Sequence, residues 1–131
     1  MSSKINDLAN NVSPAPGSTI SHLPQSLANG TNNGTGVDMA GAANNQCFAI
    51  QICATVAGTV DGKLQESDAL ASGYADISGA TFTQVGPSND DGALIINFQR
   101  TKRYVRAVTV VAGGAVIMST MIFGQKSFFE S

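Results

Sequence analysis

The chain has no tryptophan, a single histidine, two cysteines and only 12 % charged residues, about half the usual share of ~25 %. Each shortage removes a class of function. One histidine, His22, leaves no cluster from which a zinc site could be built, so no metal is expected. Seven basic and nine acidic residues give a formal charge of −2, and no global field draws such a chain to nucleic acid or to an anionic membrane. The longest apolar stretches are too short to span a bilayer, and MSSKINDLANN lacks the basic region and apolar run of an export signal. A soluble, non-exported protein is expected. No Gly-rich phosphate loop, Ser/His/Asp set or Cys/His pair occurs. Glu66, Asp68 and Asp76 supply carboxylates, but nothing sets two of them across one cleft as glycoside hydrolysis needs. Asp90-Asp91-Gly92 lacks the alternating ligands of a calcium loop and is read as a turn. Neither a catalytic residue nor a cofactor is expected, and the chain is not read as an enzyme.

The cysteines yield to geometry. Cys47 and Cys53 lie in QCFAIQICATV, whose alternation of Phe48, Ile50 and Ile52 with smaller residues marks a strand. Six residues of strand span about 20 Å, whereas a disulfide needs Cα atoms within about 7 Å. They are expected to be free, small and buried.

What is present is small and uncharged: 14 glycines, with Ala, Ser, Thr and Asn throughout. At 131 residues one compact domain is the natural size, since domains cluster near ~100–150 residues. Composition changes near Gly36. Residues 1–36 hold three of the four prolines, repeated Asn-Gly pairs, and isolated apolar residues such as Ile5, Leu8, Ile20, Leu23 and Leu27. They are read as an extended arm outside the folded domain, so that deleting them is expected to leave the domain's stability unchanged. Residues 37–124 are a succession of short β-like runs separated by turn signals, among them Asp61-Gly62, Ser72-Gly73, Ser78-Gly79 and Gly113-Gly114. With no interleaved helical pattern, about eight short antiparallel strands in a jelly-roll-like β-sandwich are expected. Residues 125–131 form a C-terminal tail.

The runs Arg103 to Val111 and Ala115 to Phe123 are apolar on both faces. A strand of that kind is either covered on both sides or meets another subunit. Val108, Val110, Met118 and Ile122 are therefore expected to form an oligomer interface, and the Gly113-Gly114 turn is expected to join the two strands as a hairpin. Arg100, Lys102, Arg103 and Arg106 make a basic cluster with Phe98 and Tyr104 nearby. It is read as a charged hairpin end that pairs with Glu66, Asp68 or Asp76, or with an acidic partner, in preference to a nucleic-acid platform.

VDMAGA, then DGKLQESD, YADISGATFTQV and KRYVRAVTVVAGG followed by an apolar last strand resemble a small structural protein of tailed-bacteriophage heads. Lys63 to Asp68 and Arg103 to Arg106 carry the resemblance most specifically. It implies a capsid decoration, or cement, protein: a compact β-sandwich, commonly a homotrimer, made in the host cytoplasm, that sits on the virion surface and binds the major capsid protein. The resemblance covers residues 36–124 and not the arm; because an arm suits lashing to a neighbour, Ile5, Leu8, Ile20, Leu23 and Leu27 are expected to dock on the shell. A head-tail connector or tail component, and a carbohydrate- or nucleic-acid-binding β module, remain as alternatives.

Overall fold

The computed structural model describes residues 20–126, which form nine strands and no helix. They are β1 (Ile20–Leu27), β2 (Gly30–Asn33), β3 (Val37–Asp38), β4 (Ala42–Cys53), β5 (Thr59–Ser67), β6 (Ala75–Thr81), β7 (Gly92–Phe98), β8 (Tyr104–Ala112) and β9 (Val116–Lys126). First pairs with last: β1 with β9, β2 with β8, β4 with β7, and β5 with β6, all antiparallel. This long hairpin is then folded over so that β4 also pairs β9 and β5 also pairs β8. Two sheets result, β1-β9-β4-β7 and β2-β8-β5-β6, with β3 adding to β8. The expected β-sandwich is observed, and its strand order is that of a jelly roll.

Three expectations are corrected. The arm does not extend to Gly36, because residues 20–33 supply β1 and β2, one strand to each sheet. Both are edge strands, where one row of backbone groups meets solvent and Pro24 is tolerated. They bury only Ser21, His22 and Leu27, too few for an apolar period to show. Ile5 and Leu8 lie outside the described residues. The last strand runs to Lys126 rather than ending at residue 124. Finally, Gly113-Gly114 does not close a hairpin, since β8 and β9 belong to opposite sheets. Both glycines have positive φ, and a Cβ on Gly113 would stand 2.8 Å from Gly58 Cα. The turn carries the chain between layers at a point where two loops touch.

Other turn signals fall inside strands. Gly62 sits in β5 opposite Thr109, where a Cβ would lie 2.1 Å from Gln51 Oε1 and 3.1 Å from Phe82 Cδ2. It is glycine because the Gln51 carboxamide crosses the sandwich onto it. Gly79, with φ of 78°, lies in the irregular part of β6, where the register jumps from Lys63↔Thr81 to Gln65↔Asp76. Such bulges absorb extra residues without breaking the sheet.

The core divides in two. One cluster contains Val37, Met39, Cys47, Ala49, Leu64, Phe82, Val105, Ala107 and Ile122. The other contains Leu27, Cys53, Val56, Val60, Val85, Val111, Val116 and Met118. Between them each central strand places a polar residue or glycine at one level: Gln51 on β4 opposite Thr120 on β9, and Gly62 on β5 opposite Thr109 on β8. His22 on β1 joins this layer opposite Thr120. All four polar side chains are buried. Cys47 and Cys53, neither of them in a disulfide, lie one in each cluster. Cys53 ends β4 and Cys47 lies six residues back, near its middle, too far along one strand for a disulfide between them.

Ser21 fastens the first strand to the other sheet. Its hydroxyl accepts a bond from Ala107 N on β8 at 2.8 Å and donates to Thr35 O at 2.8 Å. A Cβ on Gly34 would meet Ser21 Oγ at 2.3 Å, so the close approach of this loop depends on glycine there.

Candidate interaction surface

The outer faces of the two sheets are chemically unlike. On β1-β9-β4-β7, strand alternation turns Phe48, Ile50 and Ile52 of β4, Ile117, Ser119, Met121 and Phe123 of β9, and Ala93, Ile95 and Asn97 of β7 away from the core. Register puts Ile20, Met121, Ile50 and Ile95 in one row across all four strands. Phe48 stacks on its cross-strand partner Phe123, with ring centroids 5.0 Å apart. Ile95 is 64 % exposed, Ile117 61 %, Leu23 59 % and Ile52 40 %. None of these residues carries a charge. At one end the face dips into an open, mostly apolar hollow of about 370 Å³ lined by Pro24, Ile52, Ile117 and Ser119, with the Asp91 carboxylate beside them. Together these side chains present apolar surface on the order of 500 Å², the size at which a patch marks an interaction site.

The outer face of β2-β8-β5-β6 is polar and bound within itself. Lys63 Nζ lies 3.1 Å from the Asp76 carboxylate, and Gln65 Nε2 donates to Asp76 Oδ1 at 2.8 Å. Arg106 donates to Gln65 Oε1 through Nε at 3.1 Å and Nη2 at 2.8 Å, and its guanidinium lies 4.2 Å from the centroid of the Tyr74 ring. Hydrogen bonds from Gln65 and then Lys63 hold the Asp76 carboxyl below the usual carboxylate range, while burial raises the Tyr74 phenol. Gln84 Nε2 bonds both oxygens of Asp61 at 3.1 Å.

The basic cluster falls apart into separate duties. Arg100 is buried, donating to the carbonyls of Met39, Ala42 and Lys102, and so belongs to the frame instead of a contact surface. Lys102 pairs with Asp68 at 3.3 Å in solvent. Arg103 forms a two-pronged pair with Asp38 at 2.9 and 2.8 Å, which holds the Asp38 carboxyl below its ordinary value. Glu66 accepts from Thr101 N, Thr101 Oγ1 and Lys102 N at 2.7, 2.9 and 3.2 Å, anchoring the loop before β8. Asp76 serves Lys63 and Gln65, not the cluster. Phe98 is core, so it offers no stacking face.

The expected oligomer interface is corrected in the same way. Met118 and Ile122 face inward, one in each core cluster. Val108 points outward from β8 but is covered, lying between Lys63 on β5 and Asn33 on β2. Val110 alone is exposed, at 39 %, opposite Asp61. Of the residues expected to dock on a shell, Leu27 is in the core, Ile20 is half-buried, and Leu23 is exposed at the margin of the apolar face. The residues that make that face had a signal in the sequence, namely the second apolar side of the last strand and the alternation Phe48, Ile50, Ile52. Nothing in the sequence said which side of each strand looks outward.

The two segments that carry the phage resemblance turn out to be partners. Gln65, Glu66 and Ser67 on β5 lie opposite Arg106, Val105 and Tyr104 on β8. Ser67 Oγ accepts from Ala69 N at 3.1 Å and donates to Ser72 O, closing the turn that follows. Every polar residue from Lys63 to Asp68 thus has a structural partner. Among the described residues no group of three or more His, Cys, Asp or Glu could hold a metal ion. The chain matches no protein-family model and no curated protein, and what it does has to be argued from these two unlike faces.

Proposed function

We propose that this chain is a virion structural protein, a decoration or cement protein that binds the major capsid protein on the outside of a tailed-phage shell. One observation carries the reading: a jelly roll whose one outer face is charged and self-satisfied while the other is mostly apolar, with Asp91 at its end as the charge in its hollow. The first suits contact with water. The second is stable only when something covers it, as happens to a part of a larger assembly. Jelly rolls serve in viral capsids and in lectins alike, so the fold by itself does not choose between the two. Surface chemistry favours assembly. A sugar site needs convergent polar groups, and the hollow on the apolar face is lined mainly by Pro24, Ile52, Ile117 and Met118. A strand-based nucleic-acid site needs free cations beside exposed aromatic rings, whereas Arg103 and Arg106 are already bound to Asp38 and Gln65.

The test is co-sedimentation of the purified chain with assembled shells lacking it, followed by cryo-EM of the particles. Saturable binding with density on every face of the shell is expected. Density at a single vertex assigns a connector role, and no binding overturns the reading.

A further inference from the structure

We infer that the apolar outer face of β1-β9-β4-β7 is where two copies of this chain pack against each other, sheet on sheet, about a two-fold axis. The inference deepens the assembly reading and rests on the same surface, but it names the occupant.

Width argues first. Leu23 and Ile95 lie on the outermost strands of a four-stranded sheet, three strand spacings or about 14 Å apart at ~4.8 Å each. One extended segment covers a strip only one strand wide and leaves a margin wet, whereas a second sheet laid at about 10 Å covers the whole face. Charge argues next. An assembly that must tell a foreign partner from others uses complementary charge or buried hydrogen bonds, and this face offers few polar groups: Ser26, Asn97, Ser119 and, in the lining of the hollow, Asp91. A face whose one carboxylate, Asp91, stands at its end can meet its own copy with little like-charge repulsion. Area argues third. About 500 Å² of apolar side chain on each copy, with its polar rim, reaches the ~800 Å² per partner of a standard interface. A two-fold axis parallel to the strands lays the β7 side of one copy over the β1 side of the other, an isologous contact that closes on itself.

Light scattering of the full chain at micromolar concentration, separated by size, is the test. Twice the chain mass of 13.4 kDa is expected. Ile95→Lys and Ile117→Lys should each run as monomers at the same concentration while keeping the circular dichroism and cooperative unfolding of the parent, because both side chains are already exposed. Val110→Lys, on the opposite sheet, should remain a dimer. A wild-type monomer, or an oligomer that survives both isoleucine substitutions, overturns the inference. Neither outcome touches the decoration reading, which is decided separately by binding to shells.

Discussion

A chain that begins at Val37 lacks both β1 and β2, and it separates the two views of the first 36 residues. The structure puts a definite cost on the loss. Leu27 is buried in the second core cluster, and removing it from water stabilises the fold by ~1.5–3 kcal/mol. The buried Ala107 amide loses the Ser21 hydroxyl, and an orphaned buried donor costs ~1–3 kcal/mol. These two effects alone sum to about 2.5–6 kcal/mol, against a total of ~5–15 kcal/mol for a domain. Met118 and Val116, which β1 covers by register through Gln25 and Leu27, become wet in addition. Thermal unfolding followed by far-UV circular dichroism should show a midpoint lowered by more than ~10 °C, or no cooperative transition. Exposed edges on β9 and β8 should also make the truncated chain aggregate. A truncated chain that melts within ~5 °C of the full one would refute the placement of β1 and β2 in the fold.

Further outcomes follow from single side chains. Ser21→Ala should lower stability by ~1–3 kcal/mol in urea titrations, and a change below ~0.5 kcal/mol would deny its link between the sheets. Gly62→Ala should cost ~1–3 kcal/mol by driving a Cβ into the Gln51 carboxamide, and pairing it with Gln51→Ala should recover part of the loss; a purely additive double mutant would sink this account. Burial lowers the pKa of His22, so the unfolded chain takes up the proton first as pH falls below its value of 6.5. Stability present above that pH should therefore decline on acidification below it, by at most ~1.4 kcal/mol per pH unit, until the lowered folded-state value is passed. His22→Gln should flatten that window when the urea midpoint is measured across it. The Asp38 pair with Arg103 acts lower: its folded pKa is depressed, so its contribution is present above the ordinary carboxylate value and lost as pH falls through the folded one.

How far the sequence could be read depended on where each strand sits. Strands β4, β8 and β9 announce themselves because they are apolar and lie in the middle of a sheet, and the edge strand β7 does so through the apolar run Ala93 to Ile96. The edge strands β1 and β2 do not, since ISHLPQSL and GTNN bury three side chains between them and resemble a linker in composition. Turn signals misled for a physical reason as well. Gly62, Gly79 and Gly113 are glycine, respectively, for the approach of a core side chain, for a bulge and for a crossing between layers, and none closes a hairpin. Apolar residues on both sides of the last strand were visible in the sequence, but an alternating pattern gives two faces without saying which is inside. That choice moved Met118 and Ile122 from a surface into the core and left Ile117 and Met121 on the apolar face. The basic cluster failed as a site because Arg100 found three backbone carbonyls, a partnership no spacing displays.

The pairing of the first described strand with the last has a mechanical consequence. Ile20 lies opposite Met121, five residues before Lys126, so residues 20 and 126 lie toward the same end of the sheet. Tension applied between those two points would open β1 from β9 like a zipper, loading one pair of hydrogen bonds at a time. Tension spread across a sheet face would load many bonds together. A domain built this way makes a poor strap when pulled by both ends and a good rivet when gripped by its face. Single-molecule pulling through attachment points at residues 20 and 126 should thus show rupture at low force, whereas attachment across β4 and β9 should demand much more.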